Sequence, residues 1–299
     1  MRIFDCTTFF NENLMLEVRF NILSKYVEKF IVAEAKYSHS GEKKKLNFNI
    51  NKFSEFKKKI IYIVIDNEPN DVVYQKKDNS KFEKKEDMRT NSIKRIAHQR
   101  NKIMDYLSEA DDEDFIFYSD NDEIPNLENL NFENIQNKIL IFKQKLFYYK
   151  FNLYCDRVDW FGTKGCKKKK IISFSWLREV KAKKYSFFRF DTFFSKTKYS
   201  NVKIVEDGGW HFSQLKTPKD IEIKLLNQEH HDEYRFARKN LPSIADLVKR
   251  KSIVYDHKAK SSDYKFFNEF KLKTLSMSHM PSFLKQNVKK YYEWFDFEK

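Results

Sequence analysis

The sequence predicts an α/β fold: a central mixed, mainly parallel sheet flanked by helices, followed by a helical C-terminal part. Three observations carry that reading. Apolar runs short enough to be strands alternate with segments of helical spacing. The runs lack the polar alternation of a half-exposed strand, so both of their faces are covered, as in a parallel sheet. Acidic residues stand at or just beyond the ends of three runs, and ligands of doubly wound sheets gather beyond the carboxyl ends of the strands.

In chain order, residues 2–6 form a first strand. Asn11 or Asn13 can cap the next helix, whose buried stripe runs Leu16, Phe20, Leu23, Val27 and Phe30. Residues 30–33 form a second strand ending at Glu34, and residues 60–65 a third ending at Asp66. Residues 88–110 have helical spacing in Ile93, Ile96, Ile103, Met104 and Leu107. An acidic cluster, residues 111–114, separates them from a fourth strand at residues 115–118, which delivers Asp120. Aromatic and β-branched strands follow Pro125, at residues 139–142, 146–151, 171–176 and 202–205, with a basic turn at residues 163–170. Helical spacing returns from Pro218 to about Lys251, and residues 283–297 read as a final helix. No repeat or Pro/Gly/Ser-rich linker interrupts the chain. Residues 1–217 are therefore expected to form a core, with residues 218–299 a helical part packed on the same domain.

Composition narrows the function classes. A chain of 299 residues, 41% hydrophobic and 17% aromatic, can bury a sizeable core, which excludes disorder as the default. It has no run of about 18 uncharged apolar residues and no basic-then-apolar leader pattern, so a soluble or peripheral protein is expected. Cys6, Cys155 and Cys166 lack metal-ligand spacing, and their odd number favours a reducing cytoplasm over a disulfide framework. The net charge of +15 attracts polyanions, although a Lys-, Asn-, Ile-, Phe- and Tyr-rich chain also follows from AT-rich coding. No arginine-rich helix, zinc-finger spacing or RNP motif accompanies that charge, so no nucleic-acid partner is expected.

The chemistry concentrates in Asp120-Asn121-Asp122-Glu123-Ile124-Pro125. Residues two apart in an extended segment point the same way, so Asp120 and Asp122 can together hold Mg²⁺ or Mn²⁺, cations that prefer oxygen ligands. Such a cation neutralises charge on a departing diphosphate. A solvated acidic loop is the alternative. Arg95 and Arg100 can direct guanidinium forks at a phosphate, or simply line a basic helix face. Glu206-Asp207-Gly208-Gly209-Trp210-His211 offers a tight turn, a sugar-stacking ring in Trp210 and a further metal ligand in His211, or else a packed turn.

These residues, in order, resemble glycosyltransferase family 17, the family of the animal enzyme that adds the bisecting N-acetylglucosamine to N-glycans. The resemblance starts with Phe4-Asp5-Cys6-Thr7-Thr8-Phe9-Phe10-Asn11-Glu12 and continues through Val32-Ala33-Glu34-Ala35, Gln99-Arg100-Asn101 and Ser119 to Pro125. It runs on through Phe147-Tyr148-Tyr149, Trp160-Phe161-Gly162-Thr163, Gly208 to Ser213, and His231-Asp232-Glu233-Tyr234. It implies a GT-A-like nucleotide-sugar fold, a metal at the acidic pair Asp120 and Asp122, and inversion at the anomeric carbon. Glu34 and Asp66 become candidates for the donor's base and ribose, and Arg100 and Asn101 for its diphosphate. Asp5, Thr7, Arg95 and Asp120 join them as donor contacts. Trp160 and Trp210 are expected on the acceptor side. Inversion needs one general base: Asp207 is favoured, with Glu206 and Glu233 as alternatives.

The expected reaction moves a sugar from a nucleotide-diphosphate donor, a UDP-sugar foremost and UDP-GlcNAc as one candidate, to a glycan or glycolipid hydroxyl. The basic surface and the aromatic tail suggest peripheral contact with an anionic membrane. Asn121 at the third position and the Lys-rich loops fit a microbial chain better than the animal enzyme, so donor and acceptor are not inherited. The rival classes are a non-catalytic nucleotide-sugar or glycan-binding remnant, a basic nucleic-acid binder, and a nucleotidyl- or phosphotransferase.

Overall fold

A computed structural model describes residues 1–73, 81–128, 130–186, 190–192, 194–259 and 263–297. The N-terminal strands are β1 (Ile3–Phe9), β2 (Lys29–Ala35), β3 (Ile60–Ile65) and β4 (Phe115–Ser119). They are joined through helices α1 (Asn13–Leu23) and α2 (Lys81–Lys102) and pair in parallel, in the order β4-β1-β2-β3. Their apolar runs divide residue by residue between two faces. Ile3, Phe30, Val32, Phe115 and Phe117 enter one core, while Phe4, Cys6, Ile31, Ala33, Ile116 and Tyr118 enter another. A period of two applied to a run with no polar positions requires a cover on both sides. On the first face α1 provides it with Leu16, Phe20 and Leu23; the helix ends there, so of the expected stripe Val27 falls in the following loop and Phe30 on β2, both buried.

The sheet continues through β5 (Glu123–Pro125), β6 (Ile139–Tyr148), β7 (Leu153–Tyr154), β8 (Trp160–Lys167), β9 (Val202–Val205) and β10 (Gly209–Ser213). β8 is antiparallel to both β4 and β6, whereas β6 runs parallel to β9 and β10. The sheet is therefore mixed and parallel through its N-terminal half, as expected. The strands expected at residues 139–142 and 146–151 fuse into β6, because Gln144 is buried in mid-strand and hydrogen-bonded to Thr163. Residues 171–176 form no strand. Ser173 caps a helix, α3 (Phe174–Glu179), by accepting the Trp176 N–H, and the aromatic side chains there pack on the second face.

The C-terminal part is not purely helical. Helices α4 (Pro218–Asn227), α5 (His231–Ala237) and α6 (Ile244–Lys249) lead into a two-stranded sheet of β11 (Ser252–Tyr255) and β12 (Phe266–Lys271). Then β13 (Lys273–Thr274) adds to β7 in the main sheet. The expected final helix shrinks to α7 (Ser282–Gln286) and a single 3₁₀ turn. Two of the tail's aromatic residues face inward, Tyr291 donating to Glu17 and Phe295 packing on Phe151, whereas Tyr292 and Phe297 are exposed. Among the described residues no helix is long and apolar enough to cross a membrane.

Candidate active site

The parallel strands β1 and β4 are neighbours, so the loops leaving their carboxyl ends emerge side by side, carrying Glu12 and Asp120. Antiparallel pairing of β5 with β10 sets His211 opposite Glu123, and the Phe212 N–H donates to the Asp122 carbonyl at 2.8 Å. That approach explains the second of the paired glycines. Gly209 has φ +116°, and a Cβ there would meet the Ile124 carbonyl at 2.2 Å. The result is a cavity of about 640 Å³, within the usual range of roughly 300–1,000 Å³ for ligand sites. Glu12, Arg100, Asp120, Asp122, Arg178, His211 and Lys224 line one end of it.

Asp120 and Asp122 are not on an extended segment. A turn closed by the Glu123 N–H on the Asp120 carbonyl, at 2.9 Å, gives the two carboxylates different neighbours. Arg100 and Arg178 donate to Asp120 at 3.1 and 3.0 Å. Burial opposes ionisation of Asp120, but Arg178 and then Arg100 outweigh it and hold the carboxyl below its ordinary range. Asp122 accepts from Lys224 at 2.9 Å and lies 3.4 Å from His211 Nε2. Lys224 and His211 likewise overcome burial there and keep Asp122 ionised. Lys224 also stands 3.6 Å from Glu12, whose carboxylate accepts the Phe10 and Asn11 N–H groups. Buried Glu123 anchors the assembly by accepting from Arg178, from the Trp160 indole and from the Asp120 N–H. Each acidic group is thus matched by a cation, and the two charges of the acidic pair face different partners.

Of the residues expected from sequence, Arg100, Asp120, Asp122, Trp160 and His211 line the cavity. The others stand away from it. Asp5 forms a bidentate pair with Arg19, and Thr7 is buried within β1. Glu34 binds the 44–48 loop through Lys44 and the Asn47 and Phe48 N–H groups, and it accepts from Tyr62. Asp66 pairs with Lys36 on the surface, Arg95 with Glu68, and Asn101 accepts the Ser175 N–H. Trp210 is a core residue whose indole donates to the His279 carbonyl.

The three base candidates also lie elsewhere. Glu206 and Asp207 project into solvent from the β9–β10 turn, their side chains 72% and 84% exposed, near Lys143 and Lys145. Glu233 is gripped by Arg89 at 2.7 Å. Burial raises its pKa, but His230 and Arg89 pull it down to about 2, so it makes a poor proton acceptor at neutral pH. Its shift has a stability consequence. A carboxyl with an ordinary value of 4.5 when unfolded and about 2 when folded stabilises the fold fully above the first value. That contribution is lost as pH falls from about 4.5 to 2. Glu233→Gln should therefore flatten the acid limb of the unfolding free energy, followed by urea denaturation against pH, by about 2–3 kcal/mol across that window; an unchanged limb would refute the assignment.

Sequence reasoning missed Glu12, Arg178 and Lys224 as cavity residues. Glu12 lies inside the opening motif, which was its only signal. Arg178 sits just past a segment that reads as a strand, and Lys224 comes from α4, 102 residues beyond Asp122.

An acidic pair ringed by guanidinium and ammonium groups, beyond the strand ends of an α/β sheet, is the arrangement of a group-transfer enzyme. The chain belongs to glycosyltransferase family 17, whose family model matches residues 1–295, and it is a glycosyltransferase. No curated protein matched the sequence at a significant level. Among similar solved structures is a provisionally named glucose-1-phosphate thymidylyltransferase from Bacillus anthracis, in complex with sucrose. It shares 12% identity over 69% of this chain and 86% of its own, with a TM-score of 0.34.

Proposed function

We propose that the enzyme transfers a sugar from a nucleotide-diphosphate donor, a UDP-sugar foremost with UDP-GlcNAc as one candidate, to a glycan or glycolipid hydroxyl, with inversion. One observation carries this reading: Arg100, Arg178 and Lys224 surround the acidic pair on one cavity wall, where a diphosphate can be bound and its charge balanced. The buried Asn121 Oδ1, His211 Nδ1 and Gln214 Oε1 on that wall have no protein partner, as expected where a polar ligand completes the hydrogen bonding.

A divalent cation fits beside these groups. Asp122 Oδ1 and His211 Nε2 are 3.4 Å apart, and an approach of about 0.4 Å would bring them to the roughly 3.0 Å between adjacent octahedral ligands of one Mg²⁺ or Mn²⁺. Among the described residues no three His, Cys, Asp or Glu side chains form a metal cluster, so substrate oxygens would complete the shell. Bound there, the cation would neutralise charge developing on the leaving diphosphate.

The chain's own groups do the rest. Arg100, fixed on the Tyr118 hydroxyl, offers a guanidinium to the diphosphate oxygens, while Arg178, its fork spent on Glu123, Asp120 and the Gly162 carbonyl, orients Asp120 and adds positive charge to the wall. Trp160, pinned by its indole N–H on Glu123, offers a ring to the sugar face. The attacking hydroxyl loses its proton to a cavity carboxylate, and Glu229 is the one assigned that role. It lines the cavity with the His230 imidazole 3.9 Å away, whereas Glu12, Asp120 and Asp122 are engaged by lysines, arginines or His211, and Glu179, the remaining carboxylate on the lining, adjoins Arg178 at the end of α3. The free, buried Cys6, Cys155 and Cys166 suit a cytoplasmic location.

Glu229→Gln should lower kcat by about 10²- to 10⁴-fold with donor KM nearly unchanged, while Asp207→Asn retains near-normal turnover. The reverse pattern would return the base to the β9–β10 turn. In the same assay nucleoside diphosphate should appear in step with glycosylated product; pyrophosphate instead would mean nucleotidyl transfer.

A further inference from the structure

The basic turn expected at residues 163–170 begins inside β8, and Lys164 there is only 5% exposed. Its ammonium donates to the main-chain carbonyls of Arg178 and, at 2.7 Å, of Val180, where α3 ends. Helices are commonly closed by a glycine in the left-handed region. α3 instead runs out at Val180 with φ −52° and ψ 126°, so the Lys164 side chain takes the last carbonyls. Two residues earlier on the same strand, the Gly162 carbonyl accepts the Arg178 guanidinium at 2.7 Å. β8 therefore holds one residue at both ends, by its main chain and by its fork. That fork in turn reaches Glu123 at 2.8 Å and Asp120 at 3.0 Å.

Stability alone does not call for a cation at this position. Arg178, Lys181 and Arg100 oppose its charge and Glu123 favours it, while Tyr118 on β4 and Ile141 on β6, which stand opposite it, are uncharged at neutral pH. Burying an ammonium among other cations is costly, and an apolar side chain of similar length would fill the space at less cost. We propose that Lys164 is a positioning residue for transfer: it ties the main chain of Arg178 to β8 and so keeps the guanidinium on Glu123 and Asp120. The grip on Arg178 belongs to the fold, whereas its effect on transfer rests on the glycosyl-transfer reading. Burial, and then Arg178, bring the Lys164 pKa down to about 7. Because this lies below the ordinary 10.5 of the unfolded chain, the group makes the fold more stable as pH rises from about 7 to 10.5. The grip has the opposite slope, since an ammonium binds carbonyls more strongly than a neutral amine does. Transfer should therefore fall as pH rises through about 7, while stability does not.

The test follows kcat/KM for nucleoside-diphosphate release against pH in the intact protein, beside urea denaturation, for the native chain, Lys164→Met and Lys164→Arg. Lys164→Met keeps the length without the donors; it should stay folded, be tenfold or more slower at about pH 6 and show no fall through about 7. Lys164→Arg keeps a permanent charge, so it should recover most of the native rate and also lose the fall. A native profile flat through about 7, a folded Lys164→Met with the native rate, or a native-like fall in Lys164→Arg overturns the assignment. If Lys164→Met does not fold, the native and Lys164→Arg profiles decide. A second readout needs no donor. In protein labelled with ¹⁵N-arginine, solvent exchange at the Arg178 Nη groups, identified by their absence in Arg178→Met/Glu123→Gln, should be tenfold or more faster in Lys164→Met. Unchanged exchange overturns the grip whatever the donor does. Faster exchange in a chain that releases no nucleoside diphosphate from any donor would instead leave the grip standing and sink the transfer reading.

Discussion

Arg178→Ala is expected to lose about 3–5 kcal/mol of stability together with nearly all transfer activity. The guanidinium donates to Glu123, to Asp120 and to the Gly162 carbonyl. The Glu123 side chain is fully buried, while Asp120 keeps 33% exposure and can recover some solvation. The stability loss is therefore assigned chiefly to Glu123, left as an uncompensated charge. Urea denaturation of the variant measures that loss. The combination Arg178→Met with Glu123→Gln separates structure from function: it removes both charges and should regain much of the stability while donor binding stays impaired. Full activity in the restored double variant would show that Arg178 serves the fold alone.

Asp122→Ala is expected to cut kcat/KM by on the order of 10³-fold, about 4 kcal/mol of transition-state stabilisation, with little unfolding. Its carboxylate is the one that touches both Lys224 and His211, so removal frees the ammonium and separates the imidazole from its acidic neighbour. Asp122→Asn keeps the shape and should be nearly as inactive, because the charge is what aligns these groups. Asp120→Ala should be milder in donor binding, since Arg100 and Arg178 keep Tyr118 and Glu123 as partners. Asp122→Ala within tenfold of native turnover would contradict this ranking.

The sheet was legible because its signal is local. Runs such as residues 30–33 are apolar at every position, and only a strand covered on both faces accommodates them. The α1 stripe was legible for the same reason at helical period. Short elements were not: six residues of α3 carry aromatic side chains at spacings that also suit a strand, and the Ser173 cap decides the matter only through geometry. In the site, Asp122 and His211 stood out because each lies in a compact motif. Lys224 did not, since its role depends on where α4 packs. Glu34, Asp5 and Arg95 show the converse: Asp5 and Glu34 lie on strands leading to the site and Arg95 on α2, yet all three are absorbed by Arg19, by the 44–48 loop and by Glu68. A carboxylate near a strand end is as often a structural anchor as a ligand group, and sequence does not record which way it turns.

The central claim is tested most directly by nucleoside-diphosphate release from a panel of UDP-, GDP- and CMP-sugars, each with Mn²⁺ and with a chelator, using the native chain. Release from one donor class, dependent on the cation and accelerated by an acceptor glycoside, is the expected result. No release from any donor under either condition would contradict the account, leaving a family member that binds without transferring.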